Sequence, residues 1–476
     1  MRSEPARQVT RFVPLLLIFC LLAALALIRW GRPAGKATLS LEEKQIGPNQ
    51  PVFPSDEDSS TQRPGALSTE GQSQTLAKFA GSDAVEPAQG QLVHSPGAWG
   101  TLGSSIGLLV DNQPPKLAKE ANAPAQRVDF PFFRGDSRAS GYVPWLRVGG
   151  LKERWRLAAG EGRVENTVTA SGGVAYVGLS HGDLVAIDVD KGKPLWRFSS
   201  PGGWTAAPSV AHGRVYIGDG DGRFFCLDGT SGKVLWELRT EGPIDSPANV
   251  VDDLVLFGSQ DGNLYCVDAN FGQRRWTYTS EDQIRCFPTV ADGRVLVAGC
   301  DGHLHVLELA SGQNLFRVPL GGPTGNAAAV ADGVAFVGTE HGGFAAIDIL
   351  KGEVLWAFGD AGRPMSIRTS AAVSEELVFF GARDRKVRAL KRKTGELAWE
   401  FTARSAVDSS PVVTAESVIF GADDGRLYVL DKNTGRQRAV YEVGGRISAP
   451  PAVYDSLLLI GTSQGEVVCW QIVPPG

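Results

Sequence analysis

The sequence predicts an all-β fold, an eight-bladed β-propeller, over residues 128–476. Three observations predict it. A glycine recurs as Gly178, Gly218, Gly258, Gly338, Gly381, Gly421 and Gly461, with Ala298 in the fourth slot, at spacings of 40, 40, 40, 40, 43, 40 and 40. Eighteen residues after most of these stands a large aromatic: Trp196, Trp236, Trp276, Phe316, Trp356 and Trp399. Between the two, β-branched and aromatic residues alternate with period 2 and are bounded by Gly, Asp and Asn, the pattern of half-buried strands. A period of about 40 residues with this content marks propeller blades.

Each unit reads as four strands. A short strand comes first, as in APSVAHGRV or SPVVTAESV, and a second ends at the recurring glycine. A turn carrying Gly182, Gly222, Gly262, Gly302, Gly342, Gly425 or Gly465 leads to the third. Asp-Gly suits that turn, because its central residues adopt positive φ. A second turn, with Gly192, Gly232, Gly272, Gly312, Gly352, Gly395 or Gly435, leads to the fourth strand and its aromatic. A lone four-stranded sheet leaves both faces unburied, so blades must stack. The late Trp or Phe is expected to wedge between neighbours.

The eighth unit, LIGTSQGEVVCWQIV, stops before its fourth strand. LKERWRL, with Trp155, is a spare strand at the other end of the domain. It is expected to complete blade 8 and so remove an open sheet edge. In the seventh unit Ala439, beside Arg438, takes the aromatic slot, and the pattern offers no reason for it.

These units resemble the PQQ-like propeller repeat, a hairpin followed by A-x-D-x-x-T-G-x-x-x-W. The nearest copies are Ala186–Trp196, Asp228–Trp236 and Asp268–Trp276. FRGDSRASGY (Phe133–Tyr142) is similar to the leading segment of bacterial eight-bladed members. The resemblance implies two kinds of relative. One is the periplasmic propeller subunit of the outer-membrane β-barrel assembly machine. The others are quinoprotein dehydrogenases, which hold PQQ on the axis against a disulfide between adjacent cysteines and bind Ca²⁺ with a Glu/Asn/Asp set. This chain has no Cys-Cys pair, no C-x-x-C-H haem site, and uniform spacings that leave no long inserted loops. The expectation is therefore a protein without catalytic, cofactor-binding or metal-ligating residues.

The first 127 residues are of another kind. Residues 12–30 hold an apolar run, FVPLLLIFCLLAALALI, flanked by Arg2, Arg7 and Arg11 and by Arg29, Arg32 and Lys36. Its length is at the short end of a membrane span. Arg29 and Trp30 close it with no small-x-small cleavage site, and Phe19 before Cys20 is too bulky for a lipidation motif. We read an uncleaved signal anchor in the inner membrane, with residues 1–11 as a cytoplasmic tail and the propeller in the periplasm. Flanking positive charge is equal on the two sides and does not set orientation. Residues 31–127 are rich in Pro, Gly, Ser and Gln and read as a flexible tether. Ile106–Val110 within it reads as a docking peptide or a collapsed stretch of linker.

Candidate sites are few. Cys226, Cys266 and Cys469 share one slot in three units and read as small buried hydrophobes. Cys286 and Cys300 flank a hairpin around Asp292-Gly293, where a disulfide is one expectation outside the cytoplasm. His303 and His305 share a strand face, with no carboxylate evident beside them. By repeat symmetry Glu165, Thr205, Asp245, Arg285, Gly325, Arg368, Asp408 and Ser448 form a ring at the axial mouth. That ring reads either as a site for a peptide or small ligand or as mutual ion pairing.

Unit six departs most, with Arg383, Arg385, Lys386, Arg388, Lys391, Arg392 and Lys393 in eleven residues, just after the three-residue insertion. This is either a solvated basic face or a patch for an acidic partner: lipid headgroups, polysaccharide or an acidic protein surface. Nucleic acid is not expected of a chain of net charge −5. The function expected is a membrane-tethered, non-catalytic scaffold for a protein partner in the cell envelope. A PQQ-dependent dehydrogenase and a sensor ectodomain are the alternatives.

Overall fold

The computed structural model describes residues 128–359 and 365–476. The anchor, tether and docking peptide expected before residue 128, and part of the insertion before unit six, lie outside the described residues. Among the described residues there are eight sheets, each built on four antiparallel strands, in simple sequence order in all but the last, and one of them carries an added fifth strand. Blade 1 is Thr169–Ser171, Val174–Gly178, Asp183–Asp188 and Lys193–Ser199, and the other blades repeat this plan. The short first strand is innermost and the fourth is outermost.

Blade 8 takes its strands from both ends of the domain. Gly150–Ala158 pairs antiparallel with Glu466–Val473, with Trp155 opposite Cys469. The spare strand therefore closes the ring as expected.

The late aromatics lie between blades, and the structure gives the reason for the glycines they meet. A Cβ built on Gly232 would fall 2.6 Å from the Trp196 ring, and one on Gly272 would fall 2.6 Å from Trp236. Each Trp thus lies flat on the outer turn of the next blade. Each indole N–H also donates to a carbonyl of that turn: Trp155 to Val189 at 2.7 Å, Trp236 to Ala269 at 3.1 Å, Trp399 to Lys432 at 2.9 Å. This explains Ala439. The next blade is blade 8, whose third and fourth strands come from opposite chain ends and are joined by no turn. A Trp at 439 would have no glycine turn to cover.

Two substitutions separate these roles. Trp236→Ala should destabilise the propeller by about 2–4 kcal/mol, since the ring is only partly buried. Ala439→Trp should gain nothing. Denaturant melts of both variants check this, and a stabilised Ala439→Trp would contradict the account.

The repeating glycine at the end of the second strand has a different cause. At Gly338 a Cβ would fall 2.6 Å from Ile367, and at Gly178 2.6 Å from Trp204. These are the residues that enter the next blade. Where the beat becomes Ala298, the corresponding residue is Thr324; Val407 and Val164, of the same size, face Gly381 and Gly461, and nothing in the structure explains the alanine.

The inner edges of the first strands would leave backbone N–H groups unpaired, which is costly away from water. Residues 128–146 solve this by running around the inside of the ring. Their carbonyls accept hydrogen bonds from successive blades: Val128 from Asp455, Phe130 from Ala170, Pro131 from Val210, Ser137 from Val290, Arg138 from Val330, Ser140 from Val373 and Gly141 from Val413, all at 2.8–3.0 Å. Blade 3 joins through the Asn249 amide, which donates to Ser137 O at 2.9 Å. This inner belt thus touches the blades in the order 8, 1, 2, 3, 4, 5, 6, 7. Its last part, Tyr142–Val143, adds a parallel strand to Val412–Thr414.

Phe132 and Phe133 pack with Ala139, Phe287 and Ala327 to fill the axis. Arg134, 1% exposed, donates to the carbonyls of Ser410, Ala371 and Pro411. Burial lowers its pKa to about 10, so it stays charged at neutral pH. Gly141 has φ +59°, and any side chain there would run into the Arg134 guanidinium.

Candidate functional site

The two ends of the propeller differ. At one end the turn after each third strand bonds to the turn after the first, as in Val189 N to Gly173 O and Lys432 N to Glu416 O. The belt closes this end, with Arg138 paired to Asp292 and Arg147 to Glu416 in those turns. At the other end the turn after each second strand bonds to the loop entering the blade, as in Ser180 N to Arg163 O and Glu340 N to Pro323 O. This end is open, and the axial ring surrounds it. The channel is therefore a blind cup.

Six of the eight ring positions, Glu165, Thr205, Asp245, Arg285, Gly325 and Arg368, line one cavity of about 390 Å³. Asp245 is the best-held group: it accepts from Thr205 Oγ1 at 2.6 Å, Gln260 Nε2 at 2.6 Å and Arg285 Nε at 3.1 Å. Arg368 pairs with Glu340 at 3.3 Å rather than with its ring neighbour Asp408. Asp408 instead lies 3.4 Å from both Arg383 and Arg446. Burial raises its pKa, against the pull of Arg383. Glu165 is 2.8 Å from Arg163. Ser448, the last ring position, is not among the cavity's lining residues. Ion pairing in the ring is real, but most of it runs outward to loop residues that repeat symmetry did not single out.

The basic run of unit six is divided by the fold. Arg383 and Arg385 lie in the turn at the mouth end, and Arg385 has φ 68° where other blades carry glycine. Lys391, the last residue of the strand Lys386–Lys391, lies at the belt end with Arg392 and Lys393 after it. Six residues of strand separate the two ends by about 17 Å. Five of the seven have carboxylate partners: Arg383 with Asp408, Lys386 with Glu400, Arg388 with Asp384, Lys391 with Glu396 and Arg392 with Asp332. Arg388 is buried. Only Arg385 and Lys393 lack a carboxylate partner among the described residues, and they are at opposite ends. The run is not one cationic face.

Cys286 and Cys300 are free thiols in the structure, so the disulfide expected between them is not formed there. Cys226, Cys266 and Cys469 are buried as expected, and burial pushes each thiol up to about 12.

The histidine pair does have a carboxylate beside it, Asp301, which the sequence reading missed. His305 Nε2 is 2.8 Å from Asp301 Oδ2 and its Nδ1 is 2.8 Å from Tyr278 Oη. Among the described residues no three His, Cys, Asp or Glu side chains are grouped to hold a metal. The same slot holds Tyr265 on Asp261 and Tyr428 on Asp424, with hydroxyl-to-carboxylate distances of 2.7 and 2.8 Å. His305 therefore belongs to a recurring turn clamp.

Burial lowers the His305 pKa, opposed by Asp301. The neutral ring is the one the fold favours, so this contribution is present above the ordinary value near 6.5 and is lost as pH falls through the folded value. His305→Tyr, which installs the sister clamp, should flatten the stability–pH curve below about 6.5 while leaving neutral stability near wild type. Melting temperatures across pH check this. An unchanged acid slope would show that other groups set it.

A family model described as outer membrane protein assembly factor BamB matches residues 148–286, 261–399 and 368–472. The chain belongs to this family. The propeller is also similar to the crystal structure of BamB from Moraxella catarrhalis, with TM-score 0.60 and 19% identity over 68% of this chain and 100% of that one. Quinohemoprotein alcohol dehydrogenase from Comamonas testosteroni gives TM-score 0.62 and 16% identity over 73% and 81%. The computationally designed Ika8 protein gives 0.60 and 22% over 67% and 100%. At these identities the structural neighbours share the fold. No curated protein sequence matches the chain.

The cup lacks the adjacent cysteine pair on which quinoprotein dehydrogenases stack the quinone. The residues present do not fit that arrangement.

Proposed function

We propose that this protein is a non-catalytic scaffold that binds a protein partner in cell-envelope, and specifically outer-membrane protein, assembly. In this reading residues 12–30 hold it in the inner membrane and the propeller works in the periplasm at the end of the 31–127 tether. Membership of the BamB family carries the reading. The construction of the mouth supports it: a blind polar cup that presents charged side chains, Glu165, Asp245, Arg285, Glu340 and Arg368, to what enters it. An acidic surface or polysaccharide at blade six is a weaker part of the reading, because the basic run splits between two ends.

Cross-linking the full-length chain in membranes, followed by pull-down, should capture a discrete envelope protein. Purified protein should show no quinone absorbance and no dye reduction dependent on PQQ and Ca²⁺. Either of those activities would overturn the scaffold reading in favour of a dehydrogenase.

A further inference from the structure

Of all the ring positions, the one in blade 5 is the anomaly. Gly325 stands between Arg285 of blade 4 and Arg368 of blade 6. Nothing in the backbone demands glycine there, for its φ lies outside the left-handed region. Nothing in the packing demands it either. An added Cβ would find its nearest neighbour, Arg285 Cβ, at 3.8 Å, an ordinary contact. Other glycines near the mouth are different: at Gly322 a Cβ would fall 2.8 Å from the His341 side chain. What the glycine does is leave a gap in the cup wall, and the gap opens into the cavity.

The two side chains that flank the gap carry positive charge and spare donors. Arg285 uses Nε and Nη2 on Asp245, at 3.1 and 3.0 Å, which leaves Nη1. Among the described residues Arg368 uses only Nη2, on Glu340 at 3.3 Å, which leaves Nε and Nη1. Their side chains are 51% and 46% exposed. Guanidinium groups offer donors in a planar fork that matches a carboxylate. The floor beneath is neutral: Asn326 directs its amide to the carbonyls of Gly338 and Ile367 at 3.2 and 2.8 Å, and Thr324 is buried beside it.

We propose that the cup binds a carboxylate group in the gap over Gly325, held between Arg285 and Arg368. This deepens the scaffold reading and rests on it in one respect: the carboxylate is an Asp or Glu side chain that a partner presents. A free dicarboxylate has the same chemistry, and the experiment distinguishes the two.

The test uses the full-length chain in detergent. An oligoglutamate peptide, an oligolysine peptide and succinate are titrated by calorimetry at low ionic strength, where such contacts are least screened. Three proteins are compared: wild type, Gly325→Leu and Arg285→Gln/Arg368→Gln. Gly325→Leu fills the gap without strain, so its melting temperature should match wild type. The oligoglutamate peptide should bind wild type and lose about tenfold or more in affinity to each variant, a change of about 1.4 kcal/mol per tenfold. The net charge of −5 opposes nonspecific binding of this probe. Oligolysine should not show that dependence.

Failure of oligoglutamate to bind, or equal binding to all three proteins, overturns the proposal. Competition by millimolar succinate assigns the site to a free dicarboxylate and overturns the partner source. If Gly325→Leu still captures the envelope partner in cross-linking pull-downs, the cup proposal fails while the scaffold reading stands. If wild type captures none, the scaffold reading fails, whatever the peptides do.

Discussion

A chain beginning at residue 159 should fail to form a stable ring, eluting as aggregate and melting without a cooperative transition. Removing the first 158 residues takes away the outer strand of blade 8 and the whole belt. Glu466–Val473 then becomes an open edge with a nearly continuous apolar run, the kind of edge that pairs with other chains. Eight blade N–H groups lose their acceptors at once, at about 1 kcal/mol or more each. Loss of Trp155 from the Gly192 turn adds about 2–3 kcal/mol. Those sums reach the whole stability of an ordinary domain, about 5–15 kcal/mol. A synthetic peptide of residues 128–158, added in trans, should restore a monomeric, cooperatively melting species by strand addition. A truncated chain that folds unaided would show that the belt lines a ring already stable without it.

Arg134→Met should lower stability by about 2–4 kcal/mol with the fold unchanged. The guanidinium is the shared donor for three carbonyls that belong to two blades, Ala371 at the edge of blade 6 and Ser410 and Pro411 at the entrance to blade 7. Methionine has similar length and no donor, so those carbonyls are left in a dry channel. Relief of the desolvation that lowers the Arg134 pKa works in the other direction. The three orphaned acceptors are expected to outweigh it. The shift should appear in the denaturant midpoint with an unchanged slope. A neutral result would mean that the aromatic plug alone fixes the belt.

Much of the fold was legible because propeller blades repeat their physical problem. The glycine beat and the late Trp recur since every blade must lie against another, and Trp155 could be placed in blade 8 by counting alone. The axial ring was legible for the same reason, and six of its positions meet in one cavity. What could not be read was whatever depends on where the repeat is interrupted. Ala439 makes sense only once blade 8 is known to lack an outer turn. The belt has no periodicity to betray it, since each of its residues answers a different blade. The basic run misled because neighbours in sequence along a strand are delivered to opposite ends of a sheet, where local carboxylates meet them. The Asp301 clamp of His305 was legible in principle: the same spacing in Asp261 and Tyr265, and in Asp424 and Tyr428, joins a turn acid to a strand side chain.

The belt has a consequence for how the molecule is made. Residues 128–158 leave the ribosome before the rest of the propeller, but the strand that Gly150–Ala158 must join is the last to emerge. At translation rates of about 5–20 residues per second, that wait is on the order of tens of seconds. Throughout it the nascent chain carries a lone strand and a set of unclaimed carbonyls that match any blade edge. Closure is then a search between opposite ends of the chain, the slowest class of contact to form. A protein built this way is vulnerable in its unfinished state rather than in its finished one.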